Sequence, residues 1–315
     1  TIGDAELNAD PVATNPAEPG WVFDLDSATG DSKVTLTGDT TLTQGDLRFD
    51  LGSAAQVGIE GDVDLTGVNL NIPTPNLGTQ DVFEVAENAT LKLTAEQANG
   101  LDMAVDGTVK ILNLEDFPNA DLSGIDTGSN GLGAVNAELD SSGDPLLTND
   151  LGEAAVTVSG NGTVNVTTGT INEASFTMDA NATLALGFDQ ADEVEVDGDG
   201  SVEVTIGGTN SNDSDLSNLK AATVELDVNT GGLTDLAGTA DLGNADVSIS
   251  GGSILDTTAA TIGDDASFTV EAGAPPANAD TLRLTGAQAD GRSIDGEGTV
   301  EIFGDATGAD LTGLS

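Results

Sequence analysis

Short runs in which apolar and polar residues take turns fill most of this chain. That period of two is what a β-strand requires, because its successive side chains leave opposite faces. Val34-Thr35-Leu36, Val63-Asp64-Leu65, Leu91-Lys92-Leu93, Val109-Lys110-Ile111, Val156-Thr157-Val158 and Val164-Asn165-Val166 set the pattern. Val194-Glu195-Val196, Val202-Glu203-Val204, Val224-Glu225-Leu226, Phe268-Thr269-Val270 and Val300-Glu301-Ile302 continue it. Gly, Asn and Asp cluster between the runs, where turns need them. A helical turn is suggested only at 95–100 and 287–291, so the spacing predicts very little helix.

A longer period lies over the short one. Residues 88–111 read NATLKLTAEQANGLDMAVDGTVKI, residues 181–204 read NATLALGFDQADEVEVDGDGSVEV, and residues 279–302 read ADTLRLTGAQADGRSIDGEGTVEI. Each copy is followed by a terminator: ADLSGI at 120–125, SDLSNL at 214–219 and ADLTGL at 309–314. Thr90, Thr183 and Thr281 are 93 and 98 positions apart, and so are Gln97, Gln190 and Gln288. Asp121, Asp215 and Asp310 are 94 and 95 apart. A repeat of this length divides the chain into an extended, proline-bearing arm (1–30) and units at 31–126, 127–219 and 220–315. Trp21-Val22-Phe23-Asp24-Leu25 begins the first strand-like stretch.

Two all-β architectures suit these signals. One is a parallel β-solenoid of tandem repeats, with short strands stacked coil on coil. The other is a string of immunoglobulin-like β-sandwich domains. Core chemistry favours the solenoid: the chain has one Trp, no Tyr and eight Phe, few large aromatics for sandwich cores. A narrow solenoid can instead be filled with stacked Val, Ile and Leu. Over residues 242–302 the pairs Val247/Ile249, Phe268/Val270, Leu282/Leu284 and Val300/Ile302 are then expected to form one stack, each a coil beyond the last.

Charge narrows the functions. With 55 Asp and Glu against 7 Lys and Arg, the formal charge is −48. So few bases cannot neutralise a nucleic-acid backbone, and an anionic membrane surface is repelled. No apolar run approaches the ~20 residues of a membrane span, so this segment is not expected to insert into a membrane. The chain also opens without a signal-peptide pattern and reads as a mature product or an excised segment. Self-repulsion on this scale disfavours a compact state in dilute buffer. High salt or bridging divalent cations would relieve it.

Segments such as LGNADVSISGGSILDTTAATIGDDASFTVEAG (242–273) and the three GTVxI-like strands resemble tandem-repeat bacterial or archaeal surface proteins: adhesins, autotransporter-like passengers and extracellular filament proteins of β-solenoid type. The resemblance implies secretion to the cell surface or beyond, a repetitive filament, stalk or surface layer, self-association and calcium dependence. It transfers no catalytic residues.

Site chemistry is sparse. There is no Cys and no His, so neither a structural zinc site nor a Ser/His/Asp or Cys/His nucleophile system can be assembled. The chain is expected to be no enzyme. A polysaccharide-active β-helix enzyme or phage tailspike would need a carboxylate pair, which some of the many acids would form by accident. The candidate calcium ligands are Asp197 and Asp199, their repeats Asp295 and Glu297, and Asp106 in the shorter first version. The same segments read also as acidic turns between strands, and no EF-hand loop fits them. Sequons at Asn88, Asn161, Asn165, Asn181 and Asn212 are candidate glycan sites in a secreted chain.

Overall fold

The computed structural model describes residues 20–24, 33–37, 40–41, 46–50, 56–72, 81–127, 133–148, 150–171, 173–192, 194–206, 214–236, 238, 240–272 and 279–314. The chain is nearly all β, with parallel sheets stacked as a β-solenoid. It forms two compact units. One comprises Thr1–Asp140, Thr148–Thr157 and Asn172–Ala174; the other comprises Ser141–Leu147, Val158–Ile171 and Ser175–Ser315. Residues 1–19 of the arm lie outside the described residues, while Gly20–Asp24 is a strand paired in parallel with Asp46–Asp50.

In the first unit the described strands visit three sheets in rotation as far as Thr90–Thr94 and then alternate between two of them. Gly20–Asp24, Asp46–Asp50 and Asn69–Asn71 belong to one. Lys33–Leu36, Gln56–Ile59, Phe83–Val85, Met103–Val105 and Ile125–Asp126 form the second. Thr40–Thr41, Asp62–Asp64, Thr90–Thr94, Thr108–Leu112 and Ala134–Asp140 lie in the third. Every neighbouring pair is parallel, which the alternation alone could not specify.

Alternation works as the sequence suggests. Leu91, Leu93, Val109 and Ile111 are fully buried, as are Leu184, Leu186, Val202 and Val204 in the second copy and Leu282 and Leu284 in the third. The residues between them face outward. Burying a Leu or Val side chain contributes about 1.5–3 kcal/mol, so these stacked aliphatics carry much of the stability.

The second unit corrects one expectation. Val247 pairs with Phe268, and Leu282 with Val300, but the two pairs belong to different sheets. Phe268 instead meets Ile294, and Leu282 meets Leu255. The short interval between Phe268 and Leu282 is therefore a step to the next face, not a coil. The same step explains the long period. From Thr183–Gly187 the sheet runs through Ser201–Ile206, Thr223–Val228 and Asp246–Ile249 to Ser267–Val270, four coils on. Thr281–Thr285, the third copy of that strand, then falls in the adjacent sheet. From the second copy to the third, the repeat thus advances four coils and one face.

Candidate functional site

The three sequence copies fold into the same local device. After the TLxL strand comes a single helical turn: α1 (Ala95–Ala98), α2 (Phe188–Ala191) and α3 (Gly286–Ala289). The second was hidden from sequence reading. Gly187 stands where Thr94 and Thr285 cap the other two with hydroxyls that accept from the Gln97 and Gln288 amides at 3.3 and 3.2 Å.

The recurrent glutamine is a joint between coils. Gln97 Oε1 accepts from the Thr94 amide at 2.8 Å, and its Nε2 donates to the Leu65 and Val68 carbonyls at 2.8 and 2.7 Å. Gln190 accepts from Gly187 N and donates to Val166 and Gly169. Gln288 accepts from Thr285 N and donates to Thr257 and Ala260. One side chain thus satisfies an orphan donor at a helix start and two carbonyls of the preceding coil's corner.

The terminators are joints as well. Asp121 Oδ1 accepts from both the amide and the hydroxyl of Ser123, Asp310 Oδ1 does the same for Thr312, and Asp215 Oδ1 accepts from the Ser217 amide. Their backbone amides donate to Asn99, Asp290 and Asp192, the residues that close the three helical turns. Bonds from Thr312, its hydroxyl foremost, hold the Asp310 carboxyl below the ordinary Asp range; Thr307 does likewise for Asp305. The GTV landmark is a steric requirement. A Cβ on Gly200 would stand 2.7 Å from the Ala182 and Asp179 carbonyl oxygens, and one on Gly298 2.6 Å from that of Glu271.

The candidate calcium ligands stand at these same corners. Asp197 and Asp199 are exposed beside Gly198 and Gly200; Asp295, Glu297 and Asp106 are exposed at the corresponding places. Asp295 accepts from Ser293 Oγ at 3.2 Å. Among the described residues no three His, Cys, Asp or Glu converge to hold a metal ion. Of the sequons, Asn88, Asn161 and Asn181 are exposed. Asn165 is half-buried, its Oδ1 accepting from the Thr167 amide and hydroxyl, and Asn212 lies outside the described residues. Among the described residues no helix is long and apolar enough to cross a membrane.

What sequence reading missed is the charge on the outer columns. In the third copy, Asp256, Arg283 and Glu301 stand abreast on successive strands. Arg283 Nε donates to Glu301 at 2.9 Å, its Nη1 lies 3.7 Å from Asp256, and its guanidinium sits 5.9 Å from the Phe303 ring centre. The first copy places Asp64, Lys92, Lys110 and Asn136 abreast. Lys92 lies 3.9 Å from Asp64; Lys110 has no ion pair or hydrogen bond for its ammonium among the described residues. The second copy runs Asn165, Ala185, Glu203, Glu225, Asp246. Those last three acids lie in a shallow groove with Thr205, Asp227 and Glu271 and no basic lining residue. Elsewhere Lys220 pairs with Glu195 at 3.1 Å, and Arg292 donates to the Gln288, Gly263 and Ile262 carbonyls, its pKa lowered by burial.

Comparisons with protein-family models, with curated proteins and with solved structures found no match.

One buried group departs from the pattern. Asp280 stands where the other copies have Ala89 and Ala182, and it is fully buried. Its Oδ1 accepts from the Gly252 and Ser253 amides at 2.6 and 2.8 Å, while Oδ2 has no partner among the described residues.

Proposed function

We propose that this chain is a non-catalytic structural protein of the cell surface or extracellular space, a subunit or segment of a filament, stalk or surface layer. What supports the reading is how the repeat uses its signature residues. The glutamines and the backbone amides of the terminator aspartates bond one coil to the next in all three copies, and the corner glycines let neighbouring coils approach. A motif kept for coil-to-coil joints is what an extendable scaffold needs, since each coil is stabilised by its neighbours. The acid-coated exterior keeps such a scaffold soluble, and salt or divalent cations screen its self-repulsion.

Negative-stain microscopy of the purified protein at high salt, over rising protein concentration, tests this directly. Long periodic fibres or sheets are expected. Separate rods that stay apart at every concentration would make the chain a stalk segment, as in an adhesin. Release of reducing ends from acidic or neutral glycans would overturn the non-catalytic reading.

A further inference from the structure

The outer columns point to a specific contact between copies, resting on the structural reading above. Lys110 is the anomaly. In a chain with 55 acids it has no acidic partner among the described residues, and its neighbour across the strand pair is Lys92. Like charges abreast on adjacent strands cost stability, so no local pairing among the described residues accounts for this arrangement. The corresponding positions of the other copies are Glu203 and Glu301, and Glu301 closes an ion pair that Lys110 cannot.

The opposite anomaly lies on the second copy's column. Glu203 and Glu225 stand abreast with no partner for either carboxylate among the described residues, and Asp246 continues the column, held only by the Ser267 hydroxyl at 2.6 Å. Both columns are built on hydrogen-bonded parallel strands, so both carry charge at the same spacing of about 4.8 Å. A pair of ammonium groups at that spacing matches a row of carboxylates at the same spacing without adjustment of either backbone.

We propose that the Lys92/Lys110 stripe of one copy docks on the Glu203/Glu225/Asp246 column of a second copy. The two surfaces are different patches, so the contact is head-to-tail in type and propagates into a ring or an open array. Opposite charge placed in register fixes which columns meet more than it adds raw affinity.

A charge exchange tests this with the full chain. One variant carries Lys92→Glu and Lys110→Glu; the other carries Glu203→Lys and Glu225→Lys. All four side chains are on the outer face, and circular dichroism checks that each variant folds. By sedimentation velocity at about 0.15 M salt, where the screening length is ~8 Å, the parent chain is expected to associate. Each variant alone should associate roughly tenfold or more weakly, because positions 92 and 110 then face like charge at positions 203 and 225. An equal mixture should recover association, since each variant then meets its complement. Association of either variant at parental strength, or a mixture no stronger than its components, would overturn this contact while leaving assembly by another surface intact. A parent chain that never associates would overturn both the contact and the assembly reading. Should a variant misfold, zero-length carbodiimide coupling of mixed light and heavy-isotope parent chains decides instead. An intermolecular Lys110–Glu203 or Lys110–Glu225 link is expected, and its absence refutes the proposal.

Discussion

The first and third copies of the repeat are alike inside and unlike outside. Inside, Leu91 and Leu282 occupy the same fully buried position, and Gln97 and Gln288 make the same three bonds. Outside, the column Asp64–Lys92–Lys110 leaves Lys110 without an ion pair among the described residues, whereas Asp256–Arg283–Glu301 closes on itself. The difference separates two tasks. Interior and corner residues specify the coil, and the glutamine joints recur in every copy even where Gly187 replaces a capping threonine or Asp280 a buried alanine. Outer residues are free to differ, so they are where one copy can acquire a contact that another lacks.

That separation can be broken most forcefully in the core. Leu91→Ala and Leu282→Ala should each cost about 2–5 kcal/mol, measured by denaturant unfolding, because each leaves a cavity among packed aliphatics. Costs that differ widely between the two copies would show that the interiors are not equivalent. Next come the joints. Gln97→Ala and Gln288→Ala should each cost about 1–3 kcal/mol, since one carbonyl and one amide lose this partner while the Leu65 or Thr257 carbonyl keeps only its backbone bond.

The outer columns should respond less, and in opposite senses. Glu301→Gln removes the partner of Arg283 and should cost about 1 kcal/mol or less. Lys110→Gln removes only a like-charge neighbour of Lys92, so the melting temperature should hold or rise slightly. A clear loss of stability there would mean that Lys110 serves the fold.

The smallest effects are in acid titration. Asp81 is pushed above the ordinary Asp range by burial first, then by Asp102, Asp126 and Glu84. A raised carboxyl costs stability when ionised, so its penalty is present at neutral pH and lifts as pH falls through its folded value. Asp81→Asn should therefore raise the melting temperature at pH 7 and change it less in acid. Asp310, held low by Thr312, has the opposite sign: its contribution is present above the unfolded value near 3.8 and fades as pH falls through the folded value. Chemical-shift titration of the Thr312 amide reads that change.

Much of the fold is written in local pattern. The strand runs and the strand beginning near Trp21 follow from alternation; composition favours the solenoid over a string of sandwiches, and the parallel pairing decides it. The joints are only half legible. Gln97 is conspicuous as a landmark, yet its partners are backbone carbonyls about thirty residues earlier, and a carbonyl leaves no trace in residue identity. Spacing misled over Phe268 and Leu282 because a face step and a short coil look alike along the chain. The Lys92/Lys110 stripe was invisible for a related reason: two bases eighteen positions apart become neighbours only once the parallel register is known. Asp197 and Asp199, close in sequence, stand together at one corner, and among the described residues no group of three possible ligands gathers there.

The repeat's signature residues join successive coils, and side-chain amide exchange followed by NMR at Gln97, Gln190 and Gln288 tests this most directly. Donation to two carbonyls predicts Nε2 hydrogens that exchange far more slowly than a free glutamine amide in all three copies. Exchange at the free rate would mean that the glutamines make no such joint, and that the repeat records something other than the stacking of coils.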